Sequence, residues 1–280
     1  MRFIAAAVDS PAQGINVSRL QKTVGGQTGP LLGIAAYFYD PMFFEMAAKL
    51  GFRVAWIEME HAFITFSQAA DLCRIAHGLG MLSMIRIADG RRENVLKAAE
   101  CGPDIIDLPM ADSPEIVREF VRYGRFRPEG ARGYFSVPRA LDYGLVDSLP
   151  AAQARVNSEL CLMVQIETEE AVKRVEEISA IEGVDIFIGP ADLSASLGVP
   201  GKTTHPVVAE AAGRIMQAAR RHKKLVAVGS PLPDLEFWAS QGVDVLFCTN
   251  DIACLRIGLQ SVLKNATEAV KKGQSASGSQ

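Results

Sequence analysis

The sequence predicts a single closed (β/α)8 barrel, and three observations predict it. Eight short apolar or β-branched runs recur along the chain, amphipathic helical stretches separate most of them, and eight such units fit within about 250 residues. Strands that alternate with helices must pair in parallel, because a parallel neighbour requires a crossover. A doubly wound sheet would more often have fewer strands and a glycine-rich first turn, which this chain lacks.

The strands are read at Leu31–Ala36, Arg53–Glu58, Leu82–Ile87, Ile105–Pro109, Leu160–Glu167, Asp185–Gly189, Leu225–Gly229 and Val243–Cys248. After the first, "DPMFFEMAAKLG" opens with Asp40 as an N-cap and Pro41 at the first helical position, and stops at Gly51. "SQAADLCRIAHGLG", "GRRENVLKAAECG", "SPEIVREFVRYG" and "TEEAVKRVEEISAIEG" repeat the plan of polar cap, amphipathic body and terminal glycine. The connection from Phe126 to Asn157 carries no strand signal, and its aromatic residues argue for order. Residues 15–272 are read as the barrel domain, 1–14 as a disordered extension and 273–280 as a disordered tail.

Composition narrows the function classes. A formal charge of −3 supplies no basic field for nucleic acid or an anionic membrane surface. No apolar run approaches the roughly 18 residues of a membrane span. The apolar core of "MRFIAAAV" is short for a secretory signal, and the five cysteines show no CxxC or zinc-ligand spacing, so a cytoplasmic location with reduced thiols is expected.

In a barrel of this kind the active site gathers at the C-terminal ends of the strands. The polar residues there are Glu58, Glu60 and His61 after the second strand, Arg86 on the third, Gln165 and Glu167 on the fifth, Asp192 after the sixth, and Asn250 and Asp251 after the eighth. Glu167 and Asp192 lie about one strand–helix unit apart, which sets two carboxylates at the same end of adjacent strands. Two convergent carboxylates with room for water suit a hard divalent cation, Mg²⁺ or Mn²⁺, with Co²⁺ a further candidate. Each could instead cap the helix that follows it. "GPADLS" (Gly189–Ser194) offers backbone N–H groups to a small anion, or is a plain β-to-α turn. Arg86 is open to two readings, an anion-binding guanidinium or a salt bridge in the rim, and His61 is either catalytic or structural. His77, His205 and His222 sit in or beside helices away from the expected mouth.

The ordered series "EHA", "IRI", "LPMADSPE", "RPEGARG", "VQIET", "GVDIFIGPADLSASLG" and "HPVV" resembles the HpcH/HpaI aldolases, class II pyruvate aldolases, from about Asn16 to Lys264. The resemblance implies that Glu167 and Asp192 bind the divalent metal, with pyruvate or its enolate chelating through carboxylate and carbonyl oxygens. It implies that Arg86 contacts the keto oxygen, that His61 moves the proton of the aldol hydroxyl, and that Gln165 sits beside metal and substrate. The Ala191 and Asp192 amides, following Gly189, would hold the pyruvate carboxylate. Family members form hexamers, as trimers of dimers with exchanged C-terminal helices, here about Asp251–Lys264. The implied reaction is cleavage of a 4-hydroxy-2-oxo acid to pyruvate and an aldehyde. No lysine falls at a strand end inside the barrel, which argues against a Schiff base.

Two departures stand out. Where the family has Asp in a "D-x-E-H" pattern this chain has Glu58, expected to orient His61 with an arm one methylene longer. The loop after "RG" carries Tyr134, Phe135 and Arg139, expected to alter the acceptor side. The alternatives are an oxaloacetate decarboxylase-like or CoA-ester lyase activity on the same fold, or a non-catalytic barrel that binds 2-oxo acids.

Overall fold

The computed structural model describes residues 17–277. Eight parallel strands pair in sequence order and close on themselves: β1 (Leu31–Ala36), β2 (Val54–Glu58), β3 (Leu82–Arg86), β4 (Ile105–Leu108), β5 (Cys161–Ile166), β6 (Asp185–Ile188), β7 (Val226–Gly229) and β8 (Val245–Asn250). Helix α1 (Arg19–Val24) precedes β1; α2 (Pro41–Leu50), α3 (Phe66–Gly78), α4 (Arg92–Glu100) and α5 (Pro114–Gly124) follow the first four strands. Then α6 (Leu149–Glu159) leads into β5, α7 (Glu169–Lys173) and α8 (Val175–Ser179) follow it, and α9 (Pro190–Ser196) and α10 (Pro206–Arg221) follow β6. Helices α11 (Leu235–Ser240) and α12 (Asp251–Ser277) complete the chain after β7 and β8.

The local signals work as the sequence predicts. Asp40 accepts the N–H of Met42, Pro41 occupies the first turn of α2, and Gly51 ends the helix at φ 102°, a left-handed conformation suited to glycine. Thr65 and Gln68 form a reciprocal capping box at α3. Strand β8 runs two residues past its predicted end, because Asn250 still pairs with Ala35 beyond a register shift in β1. Helix α12 continues through Ser277, so a disordered tail from 273 does not match the helix over 273–277; the expected extension at 1–14 lies outside the described residues.

Side chains alternate along each strand between two cores. Ala55, Ile57, Ile85 and Ile106 face the helices. Trp56, Met84, Ile105 and Met163 fill the barrel interior, and Leu20 of α1 closes its base. Trp56, Phe187 and Phe247 pack ring to ring there, with centroids 4.9–5.9 Å apart.

The connection between α5 and β5 contains more structure than the sequence reading assigned, including α6, whose Ser148 cap accepts the N–H of Ala151. Phe126, Leu141, Ala152 and Val156 form its own small core. The Arg132 guanidinium stacks over the Phe126 ring at 4.4 Å. Arg139 Nη1 donates to the carbonyls of Cys101 and Gly102 at 3.1 and 2.8 Å, and its Nη2 to His77 Nδ1 at 2.8 Å. His77 Nε2–H therefore donates to Asp104 Oδ2 at 2.6 Å. These groups lie where strands begin. Within its own barrel Arg139 thus lies at the end opposite the mouth, where helix-to-strand connections run, so this barrel alone lends no support to the expected effect of Tyr134, Phe135 and Arg139 on the acceptor side.

Candidate active site

The last residues of β2 and β3, Glu58 and Arg86, are paired in register at the mouth. Arg86 Nε donates to Glu58 Oε2 at 2.6 Å, Arg86 Nη1 lies 3.2 Å from Glu60 Oε2, and the guanidinium sits 5.0 Å from the Trp56 ring. Both partners are buried, Glu58 completely and Arg86 to 4 % exposure. The other Glu58 oxygen accepts the backbone N–H groups of Glu60 and His61 at 2.7 and 2.9 Å. Glu58 therefore fixes Arg86 to the loop that carries His61.

This differs from the sequence expectation that Glu58 orients the His61 ring. Glu58 faces the interior beside Arg86, and both of its oxygens are taken by Arg86 and backbone donors. The His61 side chain is 60 % exposed, and its Nε2 lies 3.7 Å from Glu60 Oε2, beyond hydrogen-bond length. Burial raises the Glu60 pKa, against the lowering effect of Arg86 and His61.

On the opposite side of the mouth, Glu167 follows β5. The N–H of Met110 donates to its Oε1 at 2.7 Å, and Gln165 Nε2 donates to its Oε2 at 3.0 Å. Burial pushes the Glu167 carboxyl up to about 7; the Met110 N–H opposes this shift, and the charge of Asp192 adds to it. Asp192 is exposed in the first turn of α9. Gly189 lies against the same carboxylate: a Cβ there would stand 2.4 Å from Glu167 Oε2 and 3.0 Å from Gln165 Nε2. The absence of that carbon leaves the cradle in which Glu167 sits.

His61, Arg86, Gln165, Gly189 and Asp192 all line one open cleft of about 610 Å³. Glu58 and Glu167 stand behind that lining. Asn250, also expected at the mouth, lines the same cleft, and both it and Asp251 accept backbone N–H groups. Asn250 Oδ1 accepts the N–H of Ala253, and Asp251 Oδ2 accepts those of Tyr37 and Phe38, each at 2.8 Å.

No group of three or more His, Cys, Asp or Glu residues suited to a metal occurs among the described residues. The donor set that could hold a cation is the pair Glu167 and Asp192. It fits a hard divalent ion in chemistry: both donors are carboxylates, one is desolvated, and their mutual repulsion is what a cation offsets. Sequence reasoning missed Asp107, which faces the barrel interior on β4 and is fully buried, with neither oxygen hydrogen-bonded. Its signal was a carboxylate at an inward position of the apolar run "IIDLP".

A family model for HpcH/HpaI aldolase/citrate lyase matches residues 39–236. A hydroxypyruvate/pyruvate aldolase from Sagittula stellata is 32% identical over 189 residues, 67% of this chain and 72% of that protein. A 2-keto-3-deoxy-L-rhamnonate aldolase from Escherichia coli is 35% identical over 196 residues, 68% of this chain and 71% of that protein. The crystal structure of an HpcH/HpaI aldolase from Desulfitobacterium hafniense superposes with a TM-score of 0.82 at 26% identity, covering 90% of this chain and 97% of that one. With the barrel closed and the strand-end residues of β2, β3, β5 and β6 gathered on one cleft, the chain belongs to the HpcH/HpaI aldolase/citrate lyase family and is an enzyme of its carbon–carbon lyase class.

Proposed function

We propose that the protein is a divalent-metal-dependent aldolase that cleaves a 4-hydroxy-2-oxo acid to pyruvate and an aldehyde. The observation that carries this reading is that Arg86 faces the same cleft as Gln165 and Asp192, with Glu167 directly behind. Glu167 and Asp192 would hold Mg²⁺ or Mn²⁺, which would supply Lewis-acid chemistry to the 2-oxo acid. Arg86 donates to the keto oxygen as negative charge develops there in the enolate. Because Glu58 and Trp56 already hold the guanidinium, little reorganisation accompanies that step. Gln165 keeps the Glu167 carboxylate turned toward the cleft.

His61 takes the proton of the C4 hydroxyl during cleavage and returns it in the condensation direction. Glu58 positions it through the backbone, and the exposed ring is free to meet the substrate. The Ala191 and Asp192 amides receive the 2-oxo acid's carboxylate, a role supported by an α9 N-cap, Gly189, that has no side chain to occupy them. Among the described residues no lysine lines the cleft, which favours this route over an imine.

Incubation with a panel of 4-hydroxy-2-oxo acids, read by product mass, should release pyruvate with Mg²⁺ or Mn²⁺ present. Release should stop on chelation and return on adding Mn²⁺. Cleavage that continues in excess chelator would contradict the metal assignment.

The same proposal includes a homo-oligomer, a hexamer arranged as a trimer of dimers, with α12 exchanged between subunits. Its support is the row Leu255, Leu259, Val262 and Leu263 on α12, exposed by 56–69 %. Light scattering should find an assembly that Leu259→Glu with Leu263→Glu reduces in size, whereas a monomeric native protein would rule the assembly out. A cytoplasmic setting is supported by five free cysteines, and cell fractionation would check it. No described helix is long and apolar enough to cross a membrane.

A further inference from the structure

Asp107 is a carboxyl group set into an aromatic level of the barrel. It pairs in register with Arg86 on β3 and with Met163 on β5. The tilt of a (β/α)8 barrel shifts the level by about one residue per strand, so interior residues at one height come from alternate strands. Trp56 pairs with Met84, and Met84 with Ile105, which brings Asp107 to the height of Trp56. Counting back from Phe187 through Gln165 reaches the same residue. Asp107 thus shares a level with Trp56, Phe187 and Phe247, while Arg86 and Gln165 stand one level higher on the two flanking strands.

Three groups at this place have unmet hydrogen-bonding capacity: both oxygens of Asp107, Gln165 Oε1 and Trp56 Nε1. Gln165 Nε2 is committed to Glu167, so Gln165 Oε1 is an acceptor that needs a donor. Burial raises the Asp107 pKa well above the ordinary carboxyl value, against Arg86 and in concert with Glu167, Glu58 and Glu60. Burial thus favours the protonated form, which has an O–H to give and a second oxygen to receive.

We propose that Asp107 is a positioning residue that donates to Gln165 Oε1, and so holds the Gln165 amide, and through it Glu167, in the orientation that 2-oxo-acid binding requires. This rests on the aldolase reading. It assigns Asp107 no contact with the substrate.

The test compares wild type, Asp107→Leu and Asp107→Asn by exchange of the pyruvate methyl hydrogens with solvent in the presence of Mn²⁺. Absence of exchange in the wild type overturns the aldolase reading and this proposal with it. Given wild-type exchange, Asp107→Leu should lose about 10–100-fold in rate, the usual effect of removing a group that orients a ligand residue. Its thermal midpoint should fall, because Gln165 Oε1 is left buried without its donor; recovery of the exchange rate in Asp107→Asn is the readout that a merely structural role would not give. Asp107→Asn, which keeps an N–H donor, should stay within about threefold of wild type on the same grounds. A leucine variant as fast as wild type, or an asparagine variant as slow as leucine, would overturn the assignment. Should the leucine variant not fold, infrared difference spectra of wild type against Asp107→Asn decide the matter. A protonated carboxylic acid band lost in the variant supports the donor, and its absence from the wild type overturns it.

Discussion

Arg86→Met is expected to lower the stability of the protein by about 3–5 kcal/mol and its turnover by about 10²-fold or more. The stability loss follows from what remains. Glu58 is wholly buried, and without Arg86 it keeps its two backbone donors but no counter-charge. Glu60, 3.2 Å from the same guanidinium, loses the group that offsets its burial. The loss of turnover has a separate origin, the removal of the group proposed to donate to the developing enolate oxygen. Arg86→Lys separates the two effects. It should recover much of the stability, because a cation returns, yet little of the rate, because an ammonium cannot bridge Glu58 and Glu60 while facing the substrate. Chemical denaturation beside steady-state kinetics reads both. A methionine variant with wild-type denaturation would contradict the role given to the Glu58–Arg86 pair.

Gly189→Ala should abolish or severely reduce metal-dependent activity through a single methyl group. Backbone conformation is not the obstacle, since Gly189 has φ −98°, open to any residue. The obstacle is space: the new carbon would lie 2.4 Å from Glu167 Oε2 and 2.8 Å from Glu167 Cβ. The carboxylate must move, and with it the Gln165 contact that shares its oxygen. A displacement of about 1 Å at a catalytic constellation costs on the order of 10²-fold. Mn²⁺ titration followed by electron paramagnetic resonance should show weakened binding in a variant whose circular dichroism is unchanged. Mn²⁺ affinity and activity equal to the wild type would remove Glu167 from the metal site.

Much of this arrangement was legible in the sequence, for identifiable reasons. The barrel follows from the alternation of strand and helix patterns, and the strand ends from apolar runs interrupted by charge, as at Arg86 in "MLSMIRI". Glu167 and Gln165 stood out as polar residues closing a buried strand. Partners were harder to read than positions. That Glu58 bonds Arg86 and the His61 backbone depends on which side chain reaches which across two strands, and spacing alone does not supply that. Asn250 and Asp251 share the strand-end signature of catalytic residues, yet their oxygens cap backbone groups. Asp107 escaped because it lies inside an apolar strand, one level below its mouth. Helix α6 escaped because its buried face is thin, chiefly Ala152 and Val156, although Ser148 and Pro150 announce its start. The placement of Arg139 could have been read from order alone, since a helix-to-strand connection in a barrel lies away from the mouth.

We assign stabilisation of the pyruvate enolate on this cleft to Arg86 and to the divalent cation that Glu167 and Asp192 would hold. Proton NMR of pyruvate in D₂O with the native protein tests it most directly, because the exchange needs no knowledge of the aldehyde. The methyl signal should fade with Mg²⁺ present and persist with chelator, and it should persist with Glu167→Ala and with Asp192→Ala, both folded and both deficient in metal binding. A methyl signal that persists in the native protein with metal bound, or exchange undiminished in both alanine variants, would contradict the account.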